Sequence, residues 1–108
     1  MTELKNVFKN LPDARANEVF EQLAGAGNCK IERIVSQGQT TPAGEWYDQP
    51  GTEWVLVLEG EALLEMDNGR QHHLHAGDHI TLPAHCRHRV AWTKPDAATI
   101  WLAVHYTD

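Results

Sequence analysis

Histidine, carboxylate and thiol side chains are the groups in this sequence that could carry chemistry, and they are unevenly spread. The 108 residues include seven histidines and two cysteines. His72, His73 and His75 fall almost together, His85 and His88 bracket Cys86, and His79 and His105 stand apart. If the first group lies on a strand, alternate side chains share a face, so His73 and His75 point away from His72 and Leu74. Leu74 is the apolar member and takes the core, which leaves His73 and His75 facing solvent. Such a pair takes up nickel or zinc in solution; here it is read as part of a solvated hairpin. Cys86 beside His85 suggests a thiol nucleophile, but that chemistry needs a base and an oxyanion site, and adjacency supplies neither. Cys86 is therefore read as structural. His79 is expected to pack or cap a turn, and nothing in the sequence gives His105 a partner.

Charge and cysteine usage narrow the function classes. Fifteen acidic residues against nine basic ones give a formal net charge of −6, which argues against a phosphate-backbone partner. Arg87 and Arg89 beside His88 do not make a nucleic-acid patch. Cys29 and Cys86 are no disulfide framework, and the absence of a CxxC pair excludes a local thiolate zinc site or dithiol. The opening MTELKNVFKN lacks an apolar signal core, and no apolar run approaches the ~20 residues a membrane helix needs. The expectation is a cytoplasmic protein with reduced cysteines and no membrane partner.

The elements that must position these groups are mostly strands. The length fits one domain over 1–108, large enough to fold without a disulfide or structural metal. Asn17 to Leu23 places Val19, Phe20 and Leu23 at helical spacing, with Asn17 as N-cap and Gly25 and Gly27 as stops. This predicts one short N-terminal helix within an arm over 1–28, with a barrel over 29–108. From Cys29 the period changes to two. Strands are predicted over 29–36, 53–59, 61–66, 70–75, 79–82, 88–93 and 99–106. Glu53–Glu59 is apolar on both faces and therefore central. Asp67-Asn68-Gly69 is a tight hairpin turn. Short strands broken by turns every eight to twelve residues indicate an all-β antiparallel sandwich or barrel.

Two stretches resemble the paired motifs of the cupin superfamily. Gly77-Asp78-His79-Ile80-Thr81-Leu82-Pro83-Ala84-His85-Cys86-Arg87-His88 keeps the spacing of the second motif. His88 falls on the family's metal-ligand histidine, and His85 stands where glycine is common. Glu53-Trp54-Val55-Leu56-Val57-Leu58-Glu59-Gly60 matches the end of the first motif, with Glu53 on its ligand glutamate. Upstream, where the family usually has His-x-His, this chain has Glu45-Trp46-Tyr47-Asp48-Gln49-Pro50-Gly51-Thr52. The resemblance spans roughly residues 30–106. It implies a small antiparallel jelly-roll-like barrel, or double-stranded β-helix, and an interior pocket. It implies no particular reaction.

The resemblance also sets the expected site. With Glu53 inward, Val55 and Val57 follow; with His88 inward, Val90 and Trp92 follow. His88 and Glu53 are two candidate metal ligands, and Asp48 is preferred to Gln49 as a third. A mixed imidazole and carboxylate set suits iron, manganese, nickel or zinc. The alternative is a metal-free pocket in which a protonated His88 compensates Glu53. Gln49, Tyr47, Val55 and Trp92 are the expected pocket walls, Trp92 for stacking on a ligand. Trp101 fits either pocket or core. Two functions follow: a metal-dependent oxygenase or isomerase acting on a small polar molecule, or a non-catalytic small-ligand or interaction module. A homodimer is expected from the family's habit of pairing through a sheet edge.

Overall fold

Alternation of side chains, rather than helical spacing, governs the chain from Val19 onward. The computed structural model describes residues 2–107. It contains eight strands: β1 Val19–Ala26, β2 Cys29–Ser36, β3 Thr52–Glu59, β4 Glu61–Met66, β5 Gln71–His75, β6 His79–Leu82, β7 His88–Thr93 and β8 Thr99–Tyr106. They form a five-stranded sheet ordered β1-β2-β8-β3-β6 and a three-stranded sheet ordered β5-β4-β7. Every pairing within them is antiparallel. Among the described residues no helix is long and apolar enough to cross a membrane.

The two sheets face each other, and the inward positions follow period two. Val55 and Val57 on β3, Ala62, Leu64 and Met66 on β4, Leu74 on β5, Leu82 on β6, and Trp101 and Ala103 on β8 are buried together. Burial of such side chains contributes about 25 cal/mol per Å² of apolar surface, and this layer holds the sheets together.

The helix expected over 17–23 is a correction. Val19–Ala26 is an edge strand registered against β2, from Val19 opposite Val35 to Ala26 opposite Cys29. The register shifts between Gln22 and Ala24. That irregularity breaks the two-residue alternation and makes Val19, Phe20 and Leu23 look helical. Phe20 and Leu23 are both about half exposed, so no apolar helical face is buried. Pairing with β2 supplies the backbone hydrogen bonds that a short isolated helix would have to provide for itself.

A single residue carries the chain from one sheet to the other. β3 ends at Glu59 in the larger sheet, and β4 begins at Glu61 in the smaller. Gly60 turns the corner at φ 99°, a left-handed conformation that favours glycine. Fully buried Thr99 lies against it and stitches the corner: its Oγ1 accepts from the Glu61 N–H at 3.2 Å and approaches the Glu61 carbonyl at 3.3 Å. The glycine that closes the first motif is thus the place where the barrel folds over.

The N-terminal segment lies over the outer face at β1 and β2, where Arg33 on β2 holds it down. Arg33 Nε and Nη2 donate to Glu21 Oε1 at 2.9 and 2.7 Å. Its Nη1 donates to the carbonyls of Val7 (3.1 Å) and Lys9 (2.9 Å), and Nη2 to that of Asn10 (3.2 Å). These five contacts match the five N–H donors of a guanidinium, so a side chain only 7% exposed is left with none unpaired.

Candidate functional site in the barrel interior

Inward alternation on β2, β3, β7 and β8 brings four titratable side chains to one cavity of about 90 Å³. Glu32 sits on β2, Glu53 on β3, His88 on β7 and His105 on β8. Glu53 is directly opposite His105 across the β3–β8 ladder. On β8, Trp101, Ala103 and His105 share the inner face. The Trp101 indole N–H donates to Ser36 Oγ at 3.2 Å, and Ser36 in turn hydrogen-bonds Glu18 at the cavity wall.

These groups form a chain. His105 Nε2 lies 2.8 Å from Glu32 Oε1 and 3.6 Å from Glu53 Oε2. Glu53 Oε1 lies 3.7 Å from His88 Nε2. The first distance is a hydrogen bond; the other two are too long for one. Glu53 therefore faces both imidazoles without being saturated by either. His88 Nδ1 lies 2.8 Å from the Cys86 carbonyl oxygen. A carbonyl can only accept, so Nδ1 carries the proton and Nε2 is the nitrogen presented to Glu53 and the cavity.

The loop before β3 completes the mouth. Tyr47 pairs with His88 through two backbone hydrogen bonds, Tyr47 N to His88 O at 2.7 Å and the reverse at 3.2 Å. The Tyr47 ring stacks on the imidazole at a centroid distance of 5.4 Å. The Gln49 carbonyl accepts from the His85 N–H at 2.7 Å. His85 itself has φ 60°, which explains in backbone terms why glycine suits that position.

The electrostatics of the cavity are acidic. Glu18, Glu32 and Glu53 line it together with the two histidines, and among the described residues no lysine or arginine does. Burial pushes the Glu18 carboxyl up, only partly offset by its Ser36 hydrogen bond. Burial and the nearby carboxylates of Glu18 and Glu53 push the Tyr47 phenol up. For His88, burial opposes the charged form, but the Glu53 carboxylate and the Cys86 carbonyl outweigh it and raise its pKa above the ordinary value. The sign of the consequence is fixed: stability from the pair is complete below the unfolded value of about 6.5 and fades as pH rises through the higher folded value. Thermal melts across neutral pH should therefore show wild type losing its margin over His88→Gln as pH increases. A pH-independent margin would remove the ion pair from the account.

The structure thus brings Glu53, His88, Tyr47, Gln49 and Val55 to one cavity and leaves Asp48 and Trp92 outside it. Asp48 Oδ1 accepts from His85 Nδ1 at 2.8 Å, at the surface. The loop spends its inward positions on Tyr47 and Gln49, so Asp48 between them points the other way. Trp92 is a second correction. Leu63 and Leu64 on β4 face Trp92 and Val90 respectively, so the register shifts there and Ala91 is the extra residue. A bulge of this kind resets the alternation: His88 and Val90 line the cavity while Trp92 turns outward, 37% exposed and edge-on to His73. Trp92→Ala is accordingly expected to cost about 1 kcal/mol or less, measured by urea denaturation; a core ring would cost about 3–5 kcal/mol.

Sequence reasoning missed His105 and Glu32. The available indication was the alternation of β8: once Trp101 is inside, His105 is too. It also missed Glu61, whose carboxylate approaches His73 and His75 on the outer face of the smaller sheet.

The cupin domain family matches residues 33–105, a span that holds both motifs and every strand from mid-β2 to β8. A structure from Ralstonia eutropha, named as a "putative mannose-6-phosphate isomerase", is 42% identical, covers 99% of this chain and 100% of its own, and superposes with a TM-score of 0.94. A cupin superfamily protein from Desulfitobacterium hafniense is 22% identical over 100% of this chain and 94% of its own, with a TM-score of 0.79. An RmlC-like cupin from Desulfovibrio desulfuricans is 19% identical over 99% and 97%, with a TM-score of 0.76. These last two share the fold alone. No curated protein sequence matches the chain. With its two facing antiparallel sheets, its glycine corner and its inward Glu53 and His88, the chain belongs to the cupin domain family.

Proposed function

We propose that the barrel interior binds a small polar molecule that is not an anion and moves a proton on it, with Glu53 and His88 as the acid–base pair. The observation that carries this reading is the unsaturated Glu53 carboxylate facing His88 Nε2 at 3.7 Å in an acidic cavity. A base and an acid side by side suit isomerisation next to a carbonyl: one removes a proton from carbon while the other supplies a proton to oxygen, with no net change in composition. The name carried by the Ralstonia eutropha relative favours the same reaction class. The lining does not favour a phosphorylated substrate, because a phosphate among three glutamates would meet no lysine or arginine. A neutral hydroxylated carbonyl compound, such as an unphosphorylated sugar, fits better.

A divalent metal is the other expectation for this interior, and its donor set here is short. Protein metal sites of this kind use three or more ligands. His88 and Glu53 converge, but among the described residues no third histidine, cysteine or carboxylate atom lies within 4.8 Å of both, and Asp48 is turned to His85 at the surface. Among the described residues the interior thus offers two converging donors, one fewer than such a site uses.

The test is exchange of the carbon-bound proton of unphosphorylated sugars in D2O, followed by NMR with tag-free protein. Glu53→Gln should slow exchange by about 10²–10⁴-fold while leaving the fold intact by circular dichroism. Equal exchange in wild type and Glu53→Gln would sink the reading. One equivalent of bound metal, lost in His88→Ala, would replace it with a metal-assisted one.

A further inference from the structure

Outside the barrel, the smaller sheet presents a second set of ligating groups. β5 is its edge strand and pairs with central β4, Glu61 standing opposite His75 and Leu63 opposite His73. Cross-strand neighbours on one face have Cβ atoms only about 5 Å apart, so one carboxylate on β4 reaches two imidazoles on β5. Glu61 Oε2 contacts His73 Nε2 and lies 3.7 Å from His75 Nε2. One ligand atom from each of the three residues lies within 4.8 Å of the others, and this is the one such trio among the described residues. Around a single ion at about 2.0–2.2 Å per bond, donors stand closer together than 4.8 Å but farther apart than a direct hydrogen bond, so the Glu61–His73 contact must open for an ion to enter.

The surroundings orient the ligands. The Asp78 carboxylate accepts from the His75 backbone N–H at 2.7 Å and lies 3.7 Å from His75 Nδ1. At 3.7 Å the second contact is too long for a hydrogen bond, so Asp78 fixes the end of the strand that carries His75 rather than its ring. Trp92 stands at 90° to the His73 ring, with centroids 6.2 Å apart, and limits its swing. The outward turn of Trp92, produced by the β7 bulge, therefore has a consequence at this surface. The side chains of His73, His75 and Glu61 are 50%, 62% and 29% exposed, so an ion has access from solvent and keeps an open coordination position.

We propose that Glu61, His73 and His75 form a divalent transition-metal site on the outer sheet, in which the ion clamps edge strand β5 onto β4. Two imidazoles and one carboxylate select zinc, nickel or cobalt over calcium or magnesium, which prefer all-oxygen shells. The site is separate from the interior cavity and does not depend on the reaction proposed for it.

The experiment is calorimetric titration of tag-free protein with Zn²⁺ alone, alongside thermal melts with and without the ion. The expected result is one equivalent bound and a raised melting temperature. His73→Gln, His75→Gln and Glu61→Gln should each weaken binding by more than about tenfold, the loss already caused by removing outer-shell partners. Glu53→Gln and His88→Ala should leave this equivalent in place. Failure to bind Zn²⁺, or binding insensitive to the three outer variants, would overturn the proposal. Co²⁺ absorption in the same variants gives a second readout: intense visible bands in wild type, lost in His73→Gln and His75→Gln.

Discussion

Gly60→Ala should lose about 3–5 kcal/mol of stability, combining the strain of a left-handed non-glycine residue with steric overlap, which is a large share of a typical domain's total. A Cβ built on Gly60 would lie 2.4 Å from Thr99 Oγ1, 2.6 Å from its Cα and 2.8 Å from its Cβ. Two of those atoms cannot swing aside, since the Cα belongs to the backbone of β8 and Thr99 is fully buried. Relief would require β8 to move away from the corner, and β8 is paired with both β2 and β3. Gly69→Ala is the control. Gly69 has φ 87° in the β4–β5 turn, and nothing lies within 4 Å of its would-be Cβ. It should show the conformational cost alone, about 1 kcal/mol. Urea midpoints for the two variants separate strain from clash. Equal losses would mean that the corner relaxes freely and that the Thr99 contact has no energetic weight.

Trp101→Ala should cost about 3–5 kcal/mol, as large-to-small changes of aromatic core residues do. The ring is 4% exposed within the central cluster, on the strand with neighbours on both sides. Its loss also removes the indole N–H donated to Ser36. Trp101→Phe retains most of the packing and should cost about 1–2 kcal/mol, close to the hydrogen bond plus a small cavity. Because Trp101 also walls the acidic cavity, the alanine variant should admit larger ligands if it remains folded. A loss below about 1 kcal/mol would place the ring in open, solvated space.

The β2–β8 strands, the Asn68-Gly69 turn and the inward direction of Glu53 and His88 were legible because each depends on local alternation or turn chemistry. Three features were not, for related reasons. The irregularity at Gln22–Ala24 made Val19, Phe20 and Leu23 look helical. The bulge at Ala91 reversed Trp92 after the alternation had been set from His88. A bulge adds one residue against a partner strand and leaves no mark in the sequence of its own strand. Asp48 sits in a loop, where no period applies. The partners of His105 and His75 lie on other strands: Glu32 is separated from His105 by 73 positions, and Glu61 lies on the strand before β5. Register, rather than residue type, brings these groups together.

The hold that Arg33 exerts on the N-terminal segment has a consequence for how freely that segment can vary. The guanidinium engages the carbonyls of Val7, Lys9 and Asn10, groups that nearly any amino acid supplies in the same form. The seam is therefore indifferent to spelling on one side and strict on the other. Substitutions at residues 7 and 9 should therefore keep the contact, Asn10 is constrained by its left-handed φ of 54°, which favours asparagine or glycine, and a change at position 33 releases the segment whatever those letters are. For protein engineering, that makes the segment a natural place to graft a short recognition sequence or a reporter peptide.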